Sequence, residues 1–398
     1  MVLALLLLIG LTGCGNDTPG FEVPDGDWTW ADTYNGTFSD QGYYYCYDAY
    51  LRYLDTASGL TTVLCTKTGC THDQESCEAF FASSYFMTGG VCFWEDSLYY
   101  FDGSAFGINL YQCNAIGTDR EKIGTLGQKY VEEQLRVTPY EYVQVGHYWY
   151  YYALANGSVV DQETGTVTLE MVANYISRID LRTGKEEILI EDRENTLDLC
   201  AVQENAVLYT TRGIPEADIR DPAYREQLKK LPVTLYCWDG ASGETGVVFK
   251  KDGGNFGKIH VAVGDKLYYG LSEEKEDGGY TGSNYVYDLK TGKDTQFSGD
   301  EAIQYLGGDL VKRMQIGTEE WNLYWLESGK QMPVEVSSGY PRMECWTDRG
   351  CIVFWQVELE NGGKEQRRCY VTYEALADGF QDEDMLVFYT STNAPVTE

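Results

Sequence analysis

The chain lacks any hydrophobic run long enough to cross a bilayer. Its longest apolar stretch extends from Val2 to Leu11, about half of the roughly twenty residues that a transmembrane helix needs. Proline is also scarce, with 9 residues in 398, whereas disordered chains are typically rich in proline. We therefore expect a folded, soluble chain and not an integral membrane protein.

Positive charge is the second deficit. Lysine and arginine number 30 against 62 aspartates and glutamates, which gives a formal net charge of −32. Such a surface repels phosphate backbones and anionic lipid headgroups, so we expect no nucleic acid partner. The acids are scattered rather than grouped in blocks, which favours a role in solubility over one in binding cations.

Catalytic signatures are missing as well. The sequence contains no HExxH, GxSxG or P-loop motif, and no dinucleotide-binding glycine motif followed by a helix. Histidines occur only at positions 72, 147 and 260, and a Ser-His-Asp triad assembled in space stays open. The sequence supports no catalytic assignment and favours a protein that is not an enzyme.

Aromatic residues and glycine are abundant instead, with 33 tyrosines, 9 tryptophans and 43 glycines. A unit recurs in which an aromatic strand, often Leu-Tyr-Tyr, precedes a second strand that ends in an Asp/Gly turn. Asp or Asn begins this turn at positions 55, 114, 180, 239 and 288, and glycine supplies the φ > 0 position of a tight hairpin.

Seven copies of this unit can be read along the chain, at spacings near the roughly 40 to 50 residues of a propeller blade. One such sheet cannot bury both of its faces alone, but sheets stacked radially can. We predict an all-β fold, a single β-propeller with seven blades, with six or eight blades as the alternatives. We also expect the two ends of the chain to share one blade, because an unclosed edge favours aggregation.

One segment breaks the pattern and predicts a short helical insertion near residues 221–230. Asp221 can cap the helix, Pro222 suits its first position, and Lys229 and Lys230 lie at the negative end of its dipole. The insertion interrupts the fourth copy and is expected to protrude from it.

The residues around Cys14 predict export. The apolar run ends in Leu11-Thr12-Gly13-Cys14 and continues into a polar spacer, which is typical of a secretory signal. The pattern resembles the bacterial lipoprotein signal, in which the cysteine is lipidated and becomes the new N-terminus. The resemblance implies a signal peptide at 1–13 and a lipidated Cys14 with a tether at 14–39. The propeller then spans 40–392 and a tail 393–398, and the acyl groups hold the protein on the extracytoplasmic face of a bacterial cell membrane.

The second copy carries a family resemblance. Residues 98–103 and 110–119 resemble the YWTD-type propeller repeat of low-density-lipoprotein-receptor-like proteins. The chain is more specifically similar to uncharacterised bacterial lipoproteins with divergent versions of that propeller, since Tyr-Tyr-Phe-Asp stands where the receptor repeat has Tyr-Trp-Thr-Asp. The resemblance implies ligand binding on a propeller face and transfers no catalytic residues.

The densest group of candidate ligands is Cys65, Cys70, His72 and Cys77. Their spacing, C-x4-C-x-H-x4-C, supplies three thiols and an imidazole, the donor set of a closed zinc site. Disulfides are the favoured interpretation, because an exported protein meets oxidising conditions. Of the 12 cysteines, lipidation of Cys14 leaves an odd number, so at least one must be free, metal-bound or paired between chains. Zinc and free thiols are therefore the alternatives.

The acidic loop at residues 272–280 offers oxygen ligands for calcium. The order of an EF-hand is missing and Lys275 interrupts the acids, so a solvated hairpin tip is the favoured interpretation. We predict no obligatory cofactor, with zinc at the cysteine group and calcium at this loop as the two alternatives.

These features predict a lipid-anchored, non-catalytic propeller at the cell surface that binds a carbohydrate or protein ligand on one face. One alternative is a glycan-active enzyme with a carboxylate pair in the propeller channel. The other is a structural or assembly lipoprotein of the envelope. Apart from the ligand, the predicted partner is the membrane, which the lipid anchor contacts.

Overall fold

Seven antiparallel sheets contain almost all of the regular structure. The structure is a computed structural model that describes residues 21, 23–30, 36–40, 42–47, 49–72, 77–80, 90–103, 107–160, 165–217, 221–251, 256–274, 280–299, 301–307, 309–315, 321–333, 342–346, 350–358, 363–372, 375 and 386–393. Each sheet contains four strands that are consecutive in sequence, and one sheet gains a fifth strand from elsewhere. The predicted all-β propeller with seven blades is confirmed.

The strands follow one another blade by blade, after the short strand β1 (Thr29–Trp30). Blade 1 contains β2 (Gly36–Phe38), β3 (Gly42–Tyr47), β4 (Tyr50–Asp55) and β5 (Thr61–Val63). Blade 2 contains β6 (Val91–Trp94), β7 (Ser97–Gly103), β8 (Ile108–Asn114) and β9 (Glu121–Leu126). Blade 3 contains β10 (Arg136–Val145), β11 (Tyr148–Val160), β12 (Val167–Asp180) and β13 (Lys185–Asp192).

The second half of the ring repeats this plan. Blade 4 contains β14 (Asn195–Gln203), β15 (Ala206–Gly213), β16 (Val233–Asp239) and β17 (Glu244–Lys251). Blade 5 contains β18 (Phe256–Val263), β19 (Lys266–Glu274), β20 (Tyr280–Asp288) and β21 (Lys293–Gly299). Blade 6 contains β22 (Glu301–Gly307), β23 (Leu310–Gln315), β24 (Trp321–Trp325) and β25 (Gln331–Pro333). Blade 7 contains β26 (Arg342–Trp346), β27 (Gly350–Glu358), β28 (Lys364–Thr372) and β29 (Leu386–Asn393).

The first strands of neighbouring blades contact one another, which places them around the central axis. The hydrophobic clusters lie between blades rather than within them, because both faces of each sheet carry apolar side chains. Between blades 2 and 3, for example, Phe101 stacks on Trp149 with ring centroids 4.2 Å apart. The blades therefore stabilise one another by the burial of aromatic and aliphatic surface.

Within the described part of the chain, two helices interrupt the strands. The first, α1 (Gln128–Glu132), links blades 2 and 3. The second, α2 (Pro222–Lys230), is the predicted insertion and lies between β15 and β16 of blade 4, with the Asp221 carboxylate accepting from the Ala223 N–H at 2.8 Å. Neither helix of the described chain is long and apolar enough to cross a membrane.

The prediction that the two ends of the chain share a blade is wrong. Blade 1 and blade 7 each supply their own four strands. The seam between them is closed by side chains, with Tyr43, Tyr45 and Leu54 of blade 1 packed on Ile352 and Tyr370 of blade 7. Aromatic burial therefore replaces the shared strand that edge protection led us to expect.

The segment before blade 1, residues 21 and 23–30, docks onto the ring. We call it the N-terminal segment. Its strand β1 pairs antiparallel with β14, the innermost strand of blade 4, and also contacts β10 and β18. Trp28 is only 6% exposed and joins the cluster between blades 4 and 5, and Phe21 packs against the same cluster. Some of the region expected to be a tether thus belongs to the propeller, and strand pairing in blade 1 begins at Gly36, within that region.

Candidate functional site

The four candidate ligands lie in the segment between Leu64 and Ala79, which leaves the outer edge of blade 1 and returns to it. We call this segment the excursion. Strand β5 ends beside Leu51, where the Leu64 N–H donates to the Leu51 carbonyl at 2.9 Å. The chain then leaves the sheet and returns to it at Ala79, whose carbonyl accepts from the Leu51 N–H, also at 2.9 Å. A bridge between Tyr50 and Phe80 extends this pairing. Both ends of the excursion are therefore fixed on one residue of β4.

Tight turns position the ligands within the excursion. Cys65 follows a turn in which its N–H donates to the Val63 carbonyl at 2.8 Å. Cys70 closes a second turn by donating to the Lys67 carbonyl at 3.1 Å, and Gly69 in this turn has φ 74°, which favours glycine. The sequence therefore folds each thiol back toward the same point.

His72 and Cys77 complete the group. His72 has φ 56°, an uncommon backbone conformation that histidine adopts more readily than most residues. Its Nδ1 lies 3.4 Å from Cys77 Sγ. The sulfur atoms of Cys65, Cys70 and Cys77 and a ring nitrogen of His72 all lie within 4.8 Å of one another. The structure thus brings together the four residues that their spacing singled out.

The thiols of the cluster differ in acidity. Burial raises the pKa of the Cys77 thiol to about 11, and the neighbouring Cys65 and Cys70 thiols add to the shift. Burial also acts upward on Cys65, but N–H groups of Lys67 and Glu78 and the neighbouring thiols donate to its sulfur and hold its pKa below the ordinary value. Cys65 is therefore the first of the two to become a thiolate, the form that binds soft metal ions.

Seven other described cysteines are buried, and five of them, at positions 46, 92, 113, 200 and 237, lie in the clusters between blades. The seven are Cys46, Cys92, Cys113, Cys200, Cys237, Cys351 and Cys369. Burial raises the pKa of Cys113 to about 11 and that of Cys237 to about 12, so these thiols behave as small apolar side chains. The prediction that disulfides pin the excursion stays a prediction.

A groove of about 610 Å³ adjoins the cluster, at the junction of blades 1 and 2. Its lining combines aromatic, aliphatic and hydroxyl-bearing side chains with two of the cluster residues. The lining residues are Tyr44, Tyr53, Thr62, Val63, Leu64, Cys65, His72, Ala115 and Ile116. Such a mixture of apolar surface with a few polar groups is typical of ligand sites.

Blade 2 forms one wall of the groove through the turn after β8. Asn114 fixes this turn, since its side-chain oxygen accepts from the N–H groups of Ile116 at 3.2 Å and Thr118 at 2.9 Å. The turn leaves Ile116 63% exposed over the groove. Gly117 has φ 83°, and a Cβ there would lie 2.6 Å from the Leu64 carbonyl, so only glycine lets the wall approach blade 1 this closely.

Blade 1 forms the floor and the other wall. Tyr44 is buried and stacks on Phe93 of blade 2, with ring centroids 5.4 Å apart and planes at 5°. The Tyr53 ring packs against the Tyr44 ring, with ring centroids 4.9 Å apart. The groove therefore exposes part of the Tyr53 ring, which packs on a Tyr44 ring buried in the interface between the two blades.

A pair of carboxylates lies on the innermost strands of blades 3 and 4. Glu141 of β10 accepts from the Leu199 N–H at 3.2 Å, and Asp198 of β14 accepts from the Thr210 hydroxyl at 3.4 Å. Burial raises the pKa of Tyr152, and the charges of Asp198 and Glu141 both add to the shift. The sequence carried no signal for this pair, because the two acids are far apart in the chain.

The remaining sequence predictions fall elsewhere. Cys14 and residues 275–279 of the acidic loop lie outside the described residues, so lipidation and calcium binding stay predictions. His147 lies against Tyr148, with its Nδ1 3.7 Å from a Glu204 carboxylate oxygen. His260 lies 3.1 Å from the Asn284 side-chain oxygen.

Comparisons with known proteins bear on the fold alone. No protein-family model and no curated protein matches the chain. Among solved structures, it is similar to an oligogalacturonate lyase in complex with manganese, at 13% identity and a TM-score of 0.48 over 82% of this chain and 87% of that one. It is also similar to the β-propeller domain of the Trilobed protease from Pyrococcus furiosus, at 13% identity and a TM-score of 0.41 over 70% of this chain and 79% of that one. A third similar structure is TolB from Acinetobacter baumannii, at 10% identity and a TM-score of 0.37 over 90% of this chain and 81% of that one.

Proposed function

We propose that the protein is a surface-anchored propeller that binds a neutral carbohydrate in the groove between blades 1 and 2. The observation that carries the proposal is the groove itself, where the half-buried Tyr53 ring, packed on Tyr44, and the exposed side chain of Ile116 line the same surface. Sugar rings pack their C–H faces on aromatic rings, and their hydroxyls bond polar groups such as Thr62 and the tyrosine hydroxyls. The net charge of −32 favours neutral over acidic glycans.

An array of neutral glycans and cell-wall fragments tests this proposal, with product analysis of each hit. We expect binding without turnover. Tyr53→Ala and Ile116→Asp should each weaken binding at least about tenfold, equivalent to about 1.4 kcal/mol. Ile214→Asp is the matched control, because Ile214 is also exposed, at 41%, but lies after β15 on blade 4. Binding of a protein ligand with silence across the glycans would contradict the carbohydrate assignment.

A glycan-active enzyme is the second candidate, and Glu141 and Asp198 favour it. Two carboxylates about 5 to 10 Å apart can act as acid and base, or as acid and nucleophile, on a glycosidic bond. If product analysis shows turnover, Glu141→Gln and Asp198→Asn should each abolish it while binding in the groove persists. Turnover that survives both substitutions would exclude this pair.

The proposal also places the protein among bacterial lipoproteins with a YWTD-like propeller, held on the extracytoplasmic face of the membrane through Cys14. Its support is the Leu-Thr-Gly-Cys sequence and the docking of Phe21 seven residues later, a link that extends at most about 25 Å. Mass spectrometry of the native N-terminus should find an acylated Cys14, and Cys14→Ser should release the protein from membranes. An unacylated chain that retains Met1 would contradict the anchor.

A further inference from the structure

We propose that Cys65, Cys70, His72 and Cys77 form a tetrahedral zinc centre that closes the excursion from the outer strand of blade 1. The inference does not depend on the carbohydrate proposal, since it rests on the positions of four side chains. It concerns a structural metal site, in which all four coordination positions belong to the protein.

The geometry fits the ion. Zinc binds sulfur at about 2.3 Å and imidazole nitrogen at about 2.0 Å, so tetrahedral neighbours lie roughly 3.5 to 3.8 Å apart. The 3.4 Å between His72 Nδ1 and Cys77 Sγ agrees with this spacing. The other pairs of ligand atoms lie no more than 4.8 Å apart, so small side-chain shifts bring them to the tetrahedral spacing.

Backbone N–H groups surround two of the ligand sulfurs. N–H groups of Lys67 and Glu78 donate to the sulfur of Cys65, and the N–H of Ala79 donates to that of Cys77. Such bonds stabilise a negatively charged sulfur and orient its lone pairs. For both cysteines, one donor N–H lies two residues later in the chain.

The charges of the four donors suit a divalent ion. Three thiols lose their protons as zinc binds, and His72 supplies a neutral ring nitrogen, so Zn²⁺ and three thiolates leave a centre of charge −1 and release three protons. A disulfide would join only two of the three sulfurs and leave the third and the imidazole without a role. The complete group of four is therefore accounted for by a metal ion and not by a disulfide.

The position of the centre gives it a mechanical role. Cys65 directly follows Leu64, and Cys77 lies two residues before Ala79, so the ion joins both ends of the excursion where Leu51 hydrogen-bonds them. Closing a loop of this length costs conformational entropy, which metal coordination offsets. Bound zinc would thus hold the split outer strand of blade 1 in place.

Elemental analysis of the full chain, purified without reductant or chelator, tests the inference. We expect about one zinc per chain. Cobalt in its place should give thiolate-to-metal charge transfer and the visible bands of a tetrahedral site. Cys70→Ser and His72→Ala should weaken zinc binding by more than about 100-fold, because partners that only orient a ligand already account for roughly 10- to 100-fold.

Two further variants keep the test decisive. His72→Cys retains four donors and should retain zinc, whereas Thr68→Ala alters an exposed position of the same loop that is not a ligand and should change nothing. Far-UV circular dichroism verifies that each variant keeps its strands. A disulfide within Cys65, Cys70 and Cys77, stoichiometric iron, zinc unaffected by the substitutions, or free thiols that take up no added zinc would each overturn the assignment.

Discussion

Asn174 is fully buried where blade 3 meets blade 4. Its side-chain nitrogen donates at 2.8 Å to the carbonyls of Asp192 and Asn195, and its oxygen accepts from the Leu197 N–H at 2.6 Å. It therefore links the last strand of one blade to the first strand of the next. A buried amide can satisfy several backbone groups at once, which makes it valuable where a chain crosses between sheets.

Asn284 has the same role further round the ring, where it joins blades 5 and 6. Its side-chain nitrogen donates to the Ser298 hydroxyl at 3.0 Å and to the Glu301 carbonyl at 2.9 Å. The sequence did not predict either role, because asparagine within an aromatic strand carries no signal that distinguishes a buried link from a turn residue.

Asp102 should make the stability of the fold depend on pH. Burial raises the pKa of its carboxyl from 3.8 to about 6, although the Gly103 N–H and Arg120 oppose the shift. Between these two values the folded chain binds more protons than the unfolded chain, so stability falls as pH rises through that window. Asp102→Asn removes the ionisation, and we expect a higher melting temperature than wild type at about pH 8 and little difference at about pH 4.

Asp239→Asn is the control of opposite sign. Hydrogen bonds from the Ser242 hydroxyl and the Ala241 N–H lower the pKa of the Asp239 carboxyl. Its stabilising effect is therefore present above its ordinary pKa and is lost as pH falls, so this variant should lose stability near neutral pH and approach wild type in acid. A stability difference for Asp102→Asn that does not change with pH would contradict the assignment.

At the scale of elements, the turns between the third and fourth strands share one design. In the turns that begin at Asp180 and Asp239, the carboxylate accepts from the N–H two residues later at 2.9 Å, and the N–H of Gly184 or Gly243 donates to the Asp carbonyl at 2.8 Å. The φ values of the two glycines are 66° and 73°. The sequence prediction that glycine supplies a positive φ in these turns is confirmed.

A matched pair of glycines separates turn geometry from packing between blades. A Cβ at Gly184 would lie 2.6 Å from the Ile123 carbonyl of the preceding blade, whereas a Cβ at Gly243 would meet nothing within 4 Å. We expect Gly243→Ala to cost about 1 kcal/mol for backbone strain alone. Gly184→Ala should cost at least about 3 kcal/mol, because the neighbouring blade must also move.

Chemical denaturation of the two variants beside wild type measures the difference. Equal losses would show that the turn conformation alone requires glycine, and that the approach of one blade to the next does not.

The sequence predicted some elements better than others for physical reasons. The second and third strands of a blade are recognisable because their aromatic runs end at Asp/Gly turns, whereas a fourth strand such as β13 reads as Lys-Glu-Glu-Ile-Leu-Ile-Glu-Asp and lacks a distinct pattern. The four cluster residues were predicted together because they are close in sequence. The groove was not, because Tyr53 and Ile116 meet only when two blades pack.

At the scale of the whole molecule, the N-terminal segment is held by apolar residues that the composition of the region does not reveal. Phe21 and Trp28 flank the polar residues Asp25, Gly26 and Asp27, so the region reads as a flexible linker. In the fold, Trp28 is buried and Lys290 of blade 5 lies 3.1 Å from the Asp25 carboxylate. Apolar anchors separated by acids do not follow the period of a helix or strand, so no sequence pattern predicted them.

Gly246→Val should release the start of this segment. A Cβ at Gly246 would lie 1.9 Å from the Phe21 ring, so the larger side chain excludes Phe21 from its site on β17. We expect limited proteolysis to cut near residue 21 at least about tenfold faster than in wild type, because an undocked terminus is open to proteases.

Gly264→Ala is the control for that experiment, because it adds backbone strain at φ 54° but a Cβ there meets nothing within 4 Å. Its cleavage pattern should match wild type. Unchanged cleavage of Gly246→Val would show that Phe21 does not hold the segment in solution.

The place where the N-terminal segment enters the ring determines how the molecule bears load. Blade 4 is the middle blade of seven, directly opposite the seam between blades 7 and 1, where the first and last blades meet through side chains. A force applied to the chain before Phe21 acts first on the pairing of β1 with β14 and on the hydrophobic cluster between blades 4 and 5. From there it is passed to the neighbouring blades on either side, since β1 also contacts β10 of blade 3 and β18 of blade 5. Tension from the anchor that we propose at Cys14 would therefore act first on blades linked by the chain itself, and would reach the aromatic seam last.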